Sequence, residues 1–534
     1  MKKRYFILIL IILIGFGLRL YRLGDNGIGF FRDEAALGFN SWSILKTGAD
    51  EYGQKLPIFF RSFEVFFLPA YVYLSVPVFA IFGLTFFATR FLSFASGTVL
   101  IYIGYIIAKE IFKKEEAALV SAFVLAISPW AIFYSKGAFE GNLALLFFSI
   151  GFYFWLKFFR LKKQKLFFVG ILFFVASMYT YQAPRFVAPA FIAVSILFSK
   201  NWLPRWKLWL TGSIFAVVLY LPILSLFFLP SSYHRAVGVS IFSDASSPPG
   251  YDPNLGSFQN FFLIPRQLTS LYLAYFSPRN LFWLGDYNPQ REIAGFSVFY
   301  IWQLPFLFIG MWKLIKKKSI DIKPLLALVF IAPIPAALTK DPFHTYRSLI
   351  LFLPLSLFIG YGLFVFYQKF GKFAKVFMLS IIVYYLSLFM FNFYKLTAVW
   401  HWQDWDYGYG EIIEFVKTQP QNLRVVIDNT RTQSYIHFLF HGLIPLSNYQ
   451  KMASKLVDNG QYYGSPDVLR PKVVGRFEFR AVDWPVERGD RNTLFIFPSD
   501  RLYPSEFSGD PKLELAKIVY TPGGQPAFYI VKSK

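Results

Sequence analysis

The chain contains no cysteine. Disulfide frameworks and thiolate zinc sites are therefore excluded, and redox chemistry says nothing about the compartment. There is no HExxH pair, no phosphate-cradling glycine loop and no nucleophile–base pair at a recognised spacing. Zinc proteases, P-loop enzymes and hydrolase elbows are set aside on that ground. No low-complexity segment and no repeat of fixed period occurs. Charge is scarce as well, at 16% of residues against 55% hydrophobic and 21% aromatic. Apolar runs of about 15 to 23 residues alternate with short polar breaks, the length that crosses a bilayer core. These features describe a polytopic membrane protein.

The net charge of +23 would suit a nucleic-acid binder, but the basic residues cluster in the breaks between apolar runs. That pattern is membrane topology rather than a phosphate-backbone footprint. The first apolar run, Tyr5 to Leu20, follows Lys2, Lys3 and Arg4 and lacks a small-residue cleavage site, so it reads as a retained span. Further spans are expected at 91–112, 117–135, 142–159, 165–183, 186–199, 208–230, 296–315, 324–338, 348–366 and 376–396.

Whether 67–87 also crosses decides the side of every later loop. If it is re-entrant or interfacial, the cytoplasmic breaks hold 22 basic residues and the short outer breaks only four: Lys136, Arg185, Lys340 and Arg347. A crossing segment would invert most of that bias. The positive-inside rule thus favours eleven spans, with the N-terminus cytoplasmic. The expected fold is a polytopic α-helical membrane module over 1–396, with interfacial or re-entrant helices in a first outer loop (21–87) and a long outer loop (231–295). An extracytoplasmic α/β domain follows over 397–534, where apolar runs shorten to strand length at Arg424–Asp428, Thr493–Phe497 and Ala527–Val531. Thr432–Phe440 is expected to be helical.

This topology gathers Asp33, Glu34, Glu64, Arg90, Glu140, Arg185, His344 and Arg347 on the outer face, at span ends or in adjoining loops. Phe30-Phe31-Arg32-Asp33-Glu34-Ala35-Ala36 sits just beyond the first span. It continues into an apolar stretch with helical spacing, which fits an amphipathic helix in the membrane interface. Asp33 then reads either as the N-cap of that helix, with Glu34 complementing its dipole, or as a general base. The two roles are compatible, because a capping position also holds a carboxylate rigidly. Glu140 and Arg90 have structural readings too, a helix-boundary acid and a snorkelling arginine. Together, two or three carboxylates and several cations around an outer cavity suit an anionic group such as a phosphate. His437 and His441 stand at i and i+4, but no third ligand accompanies them, and no metal site is assigned.

Arg32-Asp33-Glu34-Ala35 after the first span resembles the Asp-Glu motif in the first outer loop of the GT-C glycosyltransferases. The nearest branch is that of the protein O-mannosyltransferases and the lipid A aminoarabinose transferases. The resemblance continues through Phe63-Glu64, Ala88-Thr89-Arg90-Phe91, Ser128-Pro129-Trp130, Glu140, Tyr275-Phe276-Ser277-Pro278, Gly285-Asp286 and His344 to Arg347. It implies inverting transfer of a sugar from a polyprenyl-phosphate carrier to a protein, lipid or glycan acceptor at the outer face of the cell membrane. Asp33 would be the base on the acceptor, with Glu34 beside it, and Glu140 the second acidic position. Arg90, Arg185, His344, Arg347 and Glu64 would serve the donor and its phosphate. The expected partners are the bilayer and the lipid-linked donor, with no nucleic acid and no cofactor beyond that donor. Relatives often carry Lys-Pro-Pro after the Glu64 position, whereas this chain has Val65-Phe66-Phe67. The rival reading is a transporter or flippase of a lipid-linked sugar. Transporters tend to hold charge at mid-membrane and show inverted repeats, neither of which is visible here.

Overall fold

The computed structural model describes residues 2–63, 65–197, 206–224, 254–317, 321–457, 462 and 470–534. Glu64, residues 231–253 of the expected 231–295 loop and the basic break at 200–205 lie outside these residues. The chain divides into two units. The first comprises Met1–Leu23 and Arg90–Asn392, and the second Gly24–Thr89 and Phe393–Lys534. The second therefore unites the loop after the first apolar run with the C-terminal part of the chain.

The first unit is helical. Five helices among the described residues are long and apolar enough to cross a membrane: Phe86–Phe112, Glu140–Leu161, Trp206–Leu224, Leu349–Lys369 and Lys372–Trp400. The other expected spans are mostly helical over their described parts: the helix of 165–183 ends at Met178, that of 296–315 begins only at Ile301, and two others are interrupted. The expected 117–135 span is Glu115–Ile127 followed by Pro129–Tyr134, with Ser128 between them in an extended conformation. Pro129 has no N–H to donate and disfavours a helical residue before it, so the chain breaks there. The expected 324–338 span likewise becomes Lys323–Ile331 and Ile334–Ala337. Two helices, Leu304–Lys316 and Phe352–Lys369, meet backbone to backbone through Gly310 and Gly362. A Cβ on Gly310 would lie 1.9 Å from the Phe358 carbonyl oxygen, and one on Gly362 1.9 Å from that of Phe306. Only glycine admits this approach, the usual device for close helix packing in lipid.

The second unit is built on a mixed six-stranded sheet. Its strands are β3 (Arg424–Asp428), β4 (Val473–Val474), β5 (Phe477–Arg480), β6 (Thr493–Pro498), β7 (Leu513–Tyr520) and β8 (Pro526–Ser533), after a small hairpin of β1 (Phe60–Ser62) and β2 (Val65–Phe67). The sheet order is β4-β5-β3-β6-β8-β7. β3 runs parallel to both β5 and β6, whereas β4, β8 and β7 pair antiparallel. β3 is central and covered on both faces, which explains its unbroken apolar run Val425-Val426-Ile427. One face buries Val426, Trp484, Phe495, Phe497 and Tyr529. Of the expected Thr432–Phe440 helix, only Tyr435–Phe440 is helical.

The helix Arg32–Thr47 is part of this unit. It packs on the helix Pro69–Phe82 and on Tyr435–Phe440, and it is buried almost continuously from Glu34 to Ile44. The stretch expected as an amphipathic interfacial helix is thus helical, and it leaves no open polar face between Glu34 and Ile44. Its polar residues are satisfied internally: Asn40 Nδ2 donates to the Ala36 carbonyl at 2.9 Å, and Ser43 Oγ to that of Ala49 at 2.7 Å. Pro69–Phe82 has 14 residues, or roughly 21 Å of helix, against a hydrocarbon core of about 30 Å.

A buried polar knot closes the same unit. The fully buried Asp50 carboxylate accepts the N–H groups of Tyr52 and Gln54, both at 2.9 Å, and faces the Tyr462 hydroxyl. That hydroxyl also lies 2.9 Å from the Phe59 carbonyl and accepts the Arg61 N–H at 3.0 Å. One hydroxyl hydrogen cannot serve both the carboxylate and the carbonyl. A protonated Asp50 resolves the conflict by donating to the hydroxyl oxygen itself. Burial accordingly pushes the Asp50 carboxyl up to about 6. A carboxyl raised in the folded state favours folding while protonated, and that contribution fades as pH rises from about 4 through about 6. The Asp50→Asn variant is thus expected to melt like the wild type near pH 4. Above about pH 6 it should be more stable, by at most ~3 kcal/mol, as thermal melts across that range would show.

Candidate active site

In the second unit, Arg32 opens its helix with the extended Phe31 as N-cap, which places Asp33 and Glu34 in the first turn. Asp33 is therefore not the capping residue. Glu34 takes that role by reaching back to the Phe31 N–H at 3.3 Å, and the Asp406 carboxylate accepts the Arg32 N–H at 2.9 Å. Phe31 has no side-chain oxygen to offer, so carboxylates from elsewhere satisfy the open N–H groups. The Arg32 guanidinium donates to Thr432 Oγ1 at 3.2 Å. Asp406 Oδ2 lies 3.5 Å from His437 Nε2, and the His437 ring stacks on Tyr409 with centroids 4.6 Å apart. Gly29 precedes this turn with φ +143°, and a Cβ there would sit 2.2 Å from the Trp405 carbonyl oxygen. Asp33 is half-buried, on a helix start held by contacts to both the loop and the C-terminal segment. His441 follows the helix Tyr435–Phe440, and burial together with the His437 charge brings it down to about 4.

In the first unit, the expected His344 and Arg347 belong to a dense polar cluster around two aspartates. Asp286 follows the π-helical turn Asn280–Leu284 and Gly285. Its fully buried side chain accepts five hydrogen bonds. Arg291 supplies two, at 2.9 and 3.2 Å, Thr345 two through its N–H and hydroxyl, both at 2.9 Å, and the Asn288 N–H one at 3.1 Å. Since the Thr345 hydroxyl hydrogen points to Asp286, the Tyr134 hydroxyl must donate the 2.6 Å bond between them. Asp341 gathers the cations. Its Oδ2 lies 3.3 Å from Arg291, 3.6 Å from His344 Nε2 and 3.8 Å from Arg347, while Oδ1 accepts the Tyr287 hydroxyl at 2.8 Å. His344 Nδ1 accepts the Arg347 N–H at 3.1 Å, so the neutral ring carries its hydrogen on Nε2, toward Asp341. Burial, then the Asp286 charge, pushes the neighbouring Glu292 carboxyl up to about 7.

Glu140 is the first residue of the helix Glu140–Leu161 and is half-buried beside Tyr346. The Tyr346 hydroxyl accepts the Gly141 N–H at 2.7 Å. Burial, and after it the Glu140 charge, holds that phenol well above its ordinary value. The Tyr346 ring stacks on Tyr134 at 5.1 Å and lies 4.6 Å from Tyr181. Thus Glu140, His344 and Arg347 meet in one set of loops, joined by Tyr346 and Tyr134. Arg185 stands at the second position of the helix Pro184–Leu197 and donates to the Met178 carbonyl at 3.4 Å. Arg90 is fully buried and donates to the Leu23 carbonyl at 3.1 Å, which rules out a snorkelling side chain. Lys136 is buried near it and donates to the Tyr21 carbonyl. Burial, followed by the charges of Arg19, Arg90 and Arg22, brings that ammonium down to about 7.

The sequence reading singled out no role for Asp286, Arg291, Asp341, Tyr134 or Tyr346. The signal present was the Gly285-Asp286 pair and the bracketing of Tyr346 by His344 and Arg347.

A sequence model of the dolichyl-phosphate-mannose-protein mannosyltransferases matches residues 69–226, less than a third of the chain. No curated protein matches it in sequence. Among solved structures, the chain is similar to ArnT from Cupriavidus metallidurans bound to undecaprenyl phosphate. The TM-score is 0.58 at 10% identity, covering 98% of this chain and 97% of that one. The apo form of the same protein gives 0.54 at 10% identity over the same shares. The oligosaccharyltransferase AglB from Archaeoglobus fulgidus, in complex with an inhibitory peptide and a dolichol-phosphate, gives 0.50 at 13% identity. That match covers 82% of this chain and 63% of AglB. The fold is that of the GT-C membrane glycosyltransferases, and the chain resembles the mannosyltransferases and ArnT among them.

Proposed function

We propose that the protein transfers a sugar from a polyprenyl-phosphate donor to an acceptor at the outer face of the membrane, with inversion at the anomeric carbon. The observation that carries this reading is the end-to-end likeness in fold to a structure holding undecaprenyl phosphate. Asp33 takes the proton of the acceptor hydroxyl as that oxygen attacks the anomeric carbon. The bond from that carbon to the phosphate oxygen breaks, and the polyprenyl phosphate leaves with the electron pair. Glu140 orients the sugar or the acceptor through its hydrogen-bonding reach at the helix start. Arg90, Arg185, His344 and Arg347 serve the leaving phosphate, with Glu64 on the donor side. Asp341 supports the last two assignments, because three basic side chains already converge on its carboxylate. A phosphate brought to them meets donors preset for an anion, which is where such groups gain most in the transition state. Topology with eleven spans and a non-crossing Pro69–Phe82 helix belongs to the same proposal.

Purified protein in proteoliposomes, supplied with radiolabelled polyprenyl-phosphate sugars, tests the reaction class. Free polyprenyl phosphate should accumulate along with labelled acceptor or hydrolysed sugar. A donor that crosses between leaflets without cleavage would instead favour the transporter and contradict the enzyme.

A further inference from the structure

The first unit contains a cavity of about 420 Å³ lined by none of the residues assigned above. It opens where the C-terminal ends of the helices Phe86–Phe112 and Glu140–Leu161 meet the start of Lys323–Ile331. That is the end of the bundle which the topology reading assigns to the cytoplasm. Its deep wall is apolar, with Trp155, Phe159 and Ala327, and its rim carries Glu110, Lys113, Arg160, Asp321 and Lys323. Glu110 is nearly buried and meets three cations, Lys113 at 2.9 Å, Arg160 at 3.0 Å and Lys157 at 3.9 Å. One carboxylate cannot neutralise three cations, so positive charge is left at the rim. Lys323 adds another, and its ammonium forms no ion pair among the described residues. Asp321 offsets one charge and accepts the Lys323 N–H at 3.1 Å. The rim itself carries a net charge of +1, and Lys157 behind Glu110 adds a second positive charge, at a mouth whose walls are greasy.

We infer that this cavity binds one acidic glycerophospholipid, the phosphate at Arg160, Lys113 and Lys323 and the upper acyl chains along Trp155 and Phe159. Excess positive charge between membrane helices favours an acidic headgroup over a zwitterionic one. The site is independent of the proposed transfer chemistry and uses none of its residues.

Native mass spectrometry of the detergent-purified full chain, titrated with phosphatidylglycerol, phosphatidylethanolamine or phosphatidylcholine, tests it. The wild type should retain one phosphatidylglycerol in preference to either other lipid. Neutralising two charges in Arg160→Gln/Lys323→Gln should weaken that lipid about 30-fold. Ala327→Trp, which fills the cavity and leaves the charges in place, should abolish the adduct. Equal retention of the three lipids by the wild type, or unchanged phosphatidylglycerol binding in either variant, would overturn the inference.

Discussion

Replacing Asp33 with asparagine is expected to lower sugar transfer by roughly 100- to 10,000-fold, the usual worth of a positioned general base. Stability should scarcely change, because Asp33 is not the residue that caps its helix. Glu34 and Asp406 do that work, accepting the Phe31 and Arg32 N–H groups. Glu34→Gln supplies the contrast. It weakens a cap, which costs about 1 kcal/mol, and any loss of rate should follow the loss of folded protein. Asp33→Glu keeps the acid and moves it by one methylene, so a partial rate should survive. Turnover by Asp33→Asn within a few-fold of wild type would remove Asp33 from the chemistry.

The second large effect is expected at Asp286. Its carboxylate is fully buried and collects five donors from three residues. Asp286→Ala leaves the Arg291 guanidinium buried beside Asp341 with its main partner gone, and Thr345 loses the acceptor of two bonds. Breaking a buried charge pair from one side costs roughly 3–5 kcal/mol. The loops carrying His344 and Arg347 should loosen with it, so donor binding and melting temperature should both fall. Adding Arg291→Leu to Asp286→Ala should recover part of the stability by removing the orphaned cation, while donor binding stays weak. A single Asp286→Ala variant within about 0.5 kcal/mol of wild type would show that the network is not what holds these loops.

Much of the helical architecture was legible because each apolar run is long and the basic breaks between runs are short. The interruptions were less visible. Ser128-Pro129 lies in an unbroken apolar composition, and only the missing proline N–H splits the expected 117–135 span. In the sheet, β3 and β6 were readable as dense apolar runs, whereas β5 and β7 interleave charge with apolar residues, as in Phe477-Glu478-Phe479-Arg480 and Leu513-Glu514-Leu515. Their inward residues are still Phe477, Phe479 and Leu513. Asp33 stood out because two adjacent carboxylates after a membrane segment are costly unless something uses them. Asp286, Tyr134 and Tyr346 did not, since their meaning lies in contacts between loops distant in sequence. A tyrosine among 33 declares nothing until its hydroxyl is seen beside Thr345 or Glu140. Arg90 shows the opposite case: a residue at a span end, readable as snorkelling, that proves wholly enclosed.

A hydroxyl that displaces the phosphate from the opposite face of the anomeric carbon inverts its configuration. The most direct measurement is therefore the anomeric configuration of the first product, read by NMR from a donor of known configuration. The mechanism predicts a product of opposite configuration, with one polyprenyl phosphate released per sugar transferred. A product that retains the donor configuration, or transfer without release of the carrier phosphate, would contradict it.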